Sequence, residues 1–360
     1  MQTKHIFRNC WLWGALSVAY LVQSCTQTGS PVTVKLDPDK VKEIPQRALL
    51  QELSTYAESG LSDADFQHLG EEYGTYFYNW FYGIMDFQRY LPPGTPTDRM
   101  YPQLIQPFSY WLEVNKPVFK ALQSHYGRSE DFKPQLNEAW ARLQTALPQT
   151  PDAELWPYFS QFSNFNTYVD TADGRVQLGY SAEMFMDDTC ALYDLLEVPQ
   201  FFKRFNQTDQ IPALLVAHYL HYTHSEPQQG RRMIDEAIHW GKVWATVEAV
   251  FPDKPVHQLF GYTQDEWEYM HSDEGQIWRY YLDQQLLYST EFNAYKRFFA
   301  FGTKTFGAGI PSDCPPQIGY FSGYRMVQAY LKQTNSSLED LWNQSDAVRI
   351  LQASGYNPIK

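Results

Sequence analysis

The chain has 360 residues, of which 44% are hydrophobic and 17% aromatic, and it carries a formal net charge of −13. This apolar content is sufficient for a large buried core, and the length allows about two domains. The negative charge opposes electrostatic binding to nucleic acid or to an anionic membrane surface, so nucleic acid is excluded as a partner.

The N-terminus has the pattern of a bacterial signal peptide. Two basic residues lie within the first eight positions, and an apolar run of twelve residues follows at positions 11–22. This run is too short for a typical transmembrane helix and has the length of a signal-peptide core. Ser24 directly precedes Cys25, as in a lipobox, so we predict that residues 1–24 are removed and that Cys25 is lipidated. The alternative is an ordinary secretory signal with a coincidental cysteine.

The segment after the predicted lipidation site is polar. Residues 26–45 contain Pro and Gly and have no helical stripe, which predicts that residues 25–45 comprise the lipidated cysteine and a flexible tether. Residues 46–360 contain neither an internal repeat nor a long linker. We therefore expect them to form a single α-rich domain.

The first part of this domain has helical periodicity. Ser62 or Asp63 can cap a helix that carries an aromatic stripe over residues 73–85 and ends before Pro92. We expect the stripe to lie in the core; a face that stacks on a ligand is the alternative. The other helices predicted here begin near Arg47 and cover Pro102–Ser124 and Ser129–Leu147.

A β-hairpin is predicted between residues 165 and 180. Apolar and polar residues alternate on both sides of Asp173-Gly174, a dipeptide typical of tight turns. The helical pattern resumes near Ala182. The hairpin is therefore expected to be the one substantial β element of a mainly α protein.

The segment Ile211–Glu226 is the sharpest candidate for chemistry. Its helical pattern places His218 and His221 on one face, where two imidazoles can chelate zinc. Glu226 or Glu236 can supply a carboxylate ligand. This arrangement would make the protein a metal-dependent hydrolase.

The same helix departs from the zinc-peptidase pattern. Such enzymes generally use HExxH, in which the Glu activates the metal-bound water. Tyr219 stands at the Glu position and Tyr222 at the second His position, so a zincin-like hydrolase would be degenerate. We favour the alternative of a helix without metal, whose histidines are exposed or hydrogen-bonded.

Two acidic clusters follow. Asp235 and Glu236 lie four and three residues before His239, and these groups can form an acid–base pair or a surface ion pair; we favour the surface pair.

Four acids within residues 266–274 can bind calcium in principle but lack EF-hand spacing, which favours a solvated face. Those four acids are Glu266, Glu268, Asp273 and Glu274.

The C-terminal part, Glu274–Leu331, contains an amphipathic helix, an aromatic loop closed by Pro315-Pro316, and a second helix beginning near Gln317. Gly319 and Gly323 are four residues apart on this second helix. We expect them to form a packing notch, where another backbone approaches closely.

The segments IWRYYLDQQLLYSTE and PPQIGYFSGYRMVQAYL resemble the C-terminal signature of the gliding-motility lipoprotein GldB family of Bacteroidetes. The resemblance extends upstream through MIDEAIHWGKVWATVEAVFPD and covers roughly the second half of the chain. It implies a non-enzymatic component of a cell-envelope machine, without a cofactor and with other envelope proteins as partners. The protein would be anchored to the inner or outer membrane through the lipid and would face the periplasm.

Two cysteines remain after the signal peptide and Cys25 are set aside. Cys190 and Cys314 can form a disulfide in an oxidising periplasm. Their spacing does not show whether they are close, so free thiols stay open as the alternative.

Overall fold

A computed structural model of the chain describes residues 32–94, 97–123, 129–163, 166–187, 190–225, 228–302, 304–307 and 309–359. The predicted signal peptide and Cys25 lie outside these residues. The described part is mainly α-helical with one small sheet, which confirms the predicted fold class. Within the described ranges, no helix combines the length and the apolar character needed to cross a bilayer.

The described residues form fifteen α-helices and three strands. The helices are α1 Leu49–Ser59, α2 Asp63–Tyr78, α3 Thr97–Gln123, α4 Ser129–Ala146, α5 Ala191–Leu195, α6 Gln200–Phe205, α7 Ile211–His224, α8 Met233–Val250, α9 Val256–Leu259, α10 Gln264–Ser272, α11 Glu274–Asp283, α12 Phe292–Tyr295, α13 Ile318–Thr334, α14 Leu338–Asn343 and α15 Ala347–Ser354. The strands are β1 Ala153–Tyr158, β2 Thr167–Ala172 and β3 Arg175–Ser181.

Helix α2 begins where its capping residues predict. The backbone N–H of Asp65 donates to Ser62 Oγ, and the Ser62 N–H donates back to the Asp65 carboxylate, so two N–H groups at the helix start are satisfied. The helix is kinked internally at Gly74 (φ 51°) and ends at Tyr78, earlier than predicted, because the backbone changes there to a π-helical turn from Asn79 to Ile84.

The aromatic stripe of this region is core, as expected. Tyr76, Phe77, Trp80 and Phe81 are each no more than 1% exposed. Trp80 also donates its indole N–H to the carbonyl of Phe159 at 2.8 Å, which satisfies its polar group inside the core.

The sheet contains the predicted hairpin and one strand more. β2 and β3 pair antiparallel across a turn at Asp173 and Gly174, both with positive φ. β1 pairs parallel with β3, so the prediction of a hairpin as the one β element is wrong. β1 is buried along nearly all of its length and has no alternation of polar and apolar residues, so the sequence carries no period-2 signal for it.

The sheet separates two hydrophobic clusters. Leu155 of β1 belongs to a C-terminal cluster with α4, α7, α8 and α13, whereas the adjacent Trp156 belongs to an N-terminal cluster with α1, α2 and α3. Successive strand residues point to opposite faces, so the two clusters lie on opposite sides of the sheet. Tyr76 stacks on Trp156 with ring centroids 3.7 Å apart.

Helices α8 and α13 pack backbone to backbone. A Cβ atom at Gly323 would lie 1.7 Å from the carbonyl oxygen of Ala237, and one at Gly241 would lie 2.3 Å from the carbonyl oxygen of Gly323. The third glycine, Gly319, lies against Phe299. The predicted packing notch on α13 is therefore confirmed, and its partner helix is α8.

The described part of the predicted tether contacts the folded body. The N–H of Val34 donates to the carbonyl of Ala249 at 3.2 Å, and the N–H of Ile44 donates to Asn137 Oδ1 at 3.0 Å. Ile44 is buried in the C-terminal cluster. Residues 32–45 therefore lie with the body, and any flexible tether is shorter than predicted.

Candidate functional site

Helix α7 lies between strand β2 and helices α4 and α8. Pro212 occupies its first turn, where the missing N–H costs no hydrogen bond. The first half of the helix is apolar and buried, whereas its histidines come in the second half. This placement brings His218 and His221 against polar groups of neighbouring elements.

The two histidines contact different partners. His218 Nδ1 forms a hydrogen bond with Thr167 Oγ1 on β2. His221 Nδ1 lies 2.8 Å from His239 Nε2 on α8, close enough for a hydrogen bond between the two rings. No group of three His, Cys, Asp or Glu residues in the described ranges is arranged to hold a metal ion. Of the two candidate carboxylates, Glu226 lies outside the described residues.

The other, Glu236, is buried and pairs with a cation. Arg231 Nε lies 3.1 Å from Glu236 Oε2, as an ion pair rather than a well-directed hydrogen bond, and both side chains are less than a tenth exposed. Glu236 Oε1 accepts the indole N–H of Trp240 at 2.8 Å. Its neighbour Asp235 pairs with Arg232 instead. The predicted surface ion pair at His239 is therefore wrong, because α8 is covered by other elements on nearly every side.

Burial keeps these imidazoles neutral. Desolvation lowers the pKa of His239 to about 2, and the nearby charge of Arg231 acts in the same direction. Desolvation lowers the pKa of His218 to about 4. At neutral pH each ring therefore has one nitrogen that donates and one that accepts. His221 also stacks on Trp240, with ring centroids 4.6 Å apart.

A cavity of about 590 Å³ lies beside His218 and Trp240. Its aromatic wall consists of Phe202, Phe205, Trp240, Trp244, Phe260, Phe299, Phe301 and Tyr320. Its polar lining consists of Asn166, Thr167, Asn206, Gln210, His218 and Gln317. No Asp, Glu, Lys or Arg of the described chain lines it. The volume is in the range of sites for small molecules, about 300–1,000 Å³.

The sequence indicates His218 but not this cavity. The lining residues are spread from position 166 to position 320, and no short motif joins them. Gly261, with φ 76°, brings the backbone against the ring of Phe205, where a Cβ atom would lie 2.5 Å from the ring. A turn glycine next to aromatic residues is the one local signal of this close approach.

The four acids of residues 266–274 were predicted to form a solvated face, and two of them pair with arginines. Glu266 lies 3.1 Å from Arg204 and also caps α10 through Thr263. Glu274 accepts hydrogen bonds from Arg325 Nε and from the Tyr356 hydroxyl, both at 2.8 Å. Glu274 therefore stabilises contacts between C-terminal elements, in contrast to the prediction.

The two remaining cysteines are free thiols in the structure. Cys190 packs against the N-terminal cluster, with its Sγ 3.9 Å from Met186 Sδ. Cys314 is buried in the C-terminal cluster, and burial raises its pKa to about 12. The two side chains thus belong to different clusters.

The family model described as gliding motility protein GldB matches residues 35–358. The match extends the C-terminal resemblance over nearly the whole chain, including the residues that line the cavity. No curated protein and no solved structure matches the chain.

Proposed function

This chain belongs to the gliding motility protein GldB family, and we propose that it is a non-enzymatic, lipid-anchored component of a cell-envelope machine. The observation that carries the proposal is the extent of the family match, which covers residues 35–358 and therefore both hydrophobic clusters. Other envelope proteins are its proposed partners.

The proposed anchor is the lipid on Cys25, with the folded body in the periplasm. The signal-peptide pattern and the small residue before Cys25 support this location. The net charge of −13 gives the body no electrostatic attraction to an anionic membrane surface, so in this proposal the lipid alone holds the protein there.

The non-enzymatic role is supported by the contacts of three titratable side chains on α7 and α8. His221 and His239 contact each other, and Glu236 pairs with Arg231 and Trp240. A general base must reach a substrate proton, directly or through one water, and these groups instead satisfy one another.

Lipidation is tested by a Cys25→Ala variant in the native host. We expect this variant to lose labelled palmitate and to leave the membrane fraction, because the alanine cannot accept a lipid. Cys10→Ala is the matched control: its cysteine lies in the predicted signal peptide, and it should label like the native protein. Undiminished palmitate in Cys25→Ala would contradict the proposed anchor.

The non-enzymatic role is tested by elemental analysis of the purified protein beside a His218→Ala/His221→Ala double variant. We expect no stoichiometric zinc in either protein, and we expect the same envelope proteins to co-purify with both. About one zinc per chain, lost in the double variant, would overturn the proposal and favour a metal-dependent hydrolase.

A further inference from the structure

We propose that the cavity beside His218 binds a neutral, hydroxyl-rich ligand of one or two rings, that is, a small saccharide. This inference goes beyond the envelope role and does not depend on it. It follows from the unpaired polar atoms of the cavity, from its aromatic wall and from its lack of charge.

The polar side of the cavity holds groups that lack partners. The side-chain amide oxygen of Asn166, Oδ1, is buried and accepts no hydrogen bond within the described part of the chain. Asn166 donates its side-chain amide to Asn206 Oδ1 at 3.0 Å, and the amide N–H groups of Asn206 donate to no residue that the structure describes. Asn206 is only 3% exposed. Buried polar groups are normally paired, so the Asn166 Oδ1 atom indicates a missing partner, and the Asn206 amide lies beside it.

The imidazole of His218, which is half-buried at the cavity, adds a further polar group. Its Nδ1 is engaged by Thr167, whereas its Nε2 makes no hydrogen bond with any residue that the structure describes. The ring is neutral at physiological pH because burial lowers its pKa to about 4. A neutral imidazole and two amides can each donate and accept. A sugar hydroxyl has the same double capacity.

The aromatic side of the cavity suits the C–H face of a ring. Trp240 and Trp244 line it together with Phe260, which stacks on Trp244 with centroids 4.5 Å apart. At the rim, Phe301 is 42% exposed and packs edge-on against Phe202. Aromatic side chains beside bifunctional polar groups match a ligand with one apolar face and hydroxyl groups at its edge.

The described lining is uncharged but polar, and this combination disfavours three other classes of ligand: anions, quaternary ammonium ions and hydrocarbon chains. With no charged side chain among the described lining residues, an anionic ligand would lose hydration without a compensating cation. A quaternary ammonium ion would suit the aromatic wall, but it has no donor or acceptor for the amides. A hydrocarbon chain would leave the same amides unpaired.

The test is a titration of the full chain in detergent, followed by tryptophan fluorescence and by the melting temperature. The probes are cellobiose, maltose, mannobiose and diacetylchitobiose, with glucuronate, choline and decanoate as the competing classes. We expect a saturable signal with at least one neutral disaccharide and none with the other three compounds. Trp240 and Trp244 in the wall supply the fluorescence change.

Three variants locate the binding. Leu214→Trp fills the cavity from α7, and Asn206→Leu removes a polar group from its lining. Each variant should weaken disaccharide binding at least about tenfold, which is roughly the contribution of one buried hydrogen bond. Phe301→Ala opens the rim and should also weaken disaccharide binding. Because Phe301 is partly exposed, this variant keeps the test valid if the substitutions at buried positions unfold the chain. Phe306→Ala is the matched control, because Phe306 is 64% exposed and lies outside the lining.

Three outcomes would overturn the proposal. One is the absence of saturable binding by all four disaccharides. Another is disaccharide binding that Leu214→Trp and Phe301→Ala both leave unchanged. The third is saturable binding confined to glucuronate, choline or decanoate, which would assign the cavity to that class instead.

Discussion

His239 lies in a buried cluster in which cations outnumber carboxylates. Arg231 and Lys242 both act on it, and the buried carboxylate of Glu236 is already paired with Arg231. Lys242 donates to the carbonyl of Gln344 at 2.6 Å. A proton on His239 would therefore add a third positive charge in a poorly solvated place, and the ring stays neutral.

This environment makes the stability of the protein depend on pH. The unfolded chain binds a proton at His239 below about pH 6.5, whereas the folded chain does so only near a pKa of about 2. The free energy of unfolding therefore falls as the pH drops below 6.5, by about 1.4 kcal/mol per pH unit for this one group. His218, whose pKa burial lowers to about 4, acts in the same direction.

We predict that His239→Gln reduces this pH dependence. The loss of unfolding free energy between pH 7.5 and 5.5, measured by urea denaturation, should be smaller in the variant by about 1.4 kcal/mol. His68→Gln is the matched control, since it makes the same substitution at an exposed imidazole outside the buried cluster. Equal slopes in His239→Gln and the native chain would show that His239 is accessible to protons in the folded state.

At the scale of elements, the contact between α8 and α13 depends on two glycines. The backbone of each helix occupies the space that a Cβ atom on the glycine of the other helix would need. A larger residue at Gly241 or Gly323 therefore cannot be accommodated by a change of rotamer. The helices must move apart, and the side chains around the contact lose packing. Gly241 and Gly323 thus fix the distance between the two helices.

We predict that Gly323→Ala lowers the free energy of unfolding by about 1–3 kcal/mol through overpacking, despite the better helix propensity of alanine. Gly83→Ala is the matched control: Gly83 lies in a helical turn where an added Cβ would meet no atom within 4 Å, and its replacement should be neutral or slightly stabilising. Chemical denaturation measures both. An unchanged midpoint for Gly323→Ala would mean that the helices are farther apart than described.

The elements themselves were predictable where local chemistry decides them. Ser62 with Asp65 sets the start of α2, Asp173-Gly174 sets the hairpin turn, and Gly323 indicates a close helix contact. β1 was not predictable, because a strand buried on both faces has no alternating pattern. The burial of Glu236 was not predictable either. Its partner Arg231 lies five residues before it in a loop, and α13, which packs on α8, lies far along the chain.

At the scale of the whole molecule, the sheet is the part that both clusters share. Leu155 and Trp156 point to opposite sides of β1 and enter different clusters. The candidate cavity lies in the C-terminal half, and its residues converge only when β2, α7 and the loops before α13 are in place. A site assembled from such distant segments depends on the tertiary fold, so the sequence indicated one of its residues, His218, and none of its shape.

The attachment of the N-terminal segment has a mechanical consequence. The carbonyl of Pro45 accepts from the N–H of Leu155 at 2.8 Å, and the N–H of Arg47 donates to the carbonyl of Leu155 at 2.9 Å. If the chain is held at Cys25, the roughly seven residues to position 32 extend by at most about 25 Å before the slack is gone. A pulling force would then load the Val34–Ala249 hydrogen bond first, and only after that bond opens would it reach the bonds to β1, the strand between the clusters.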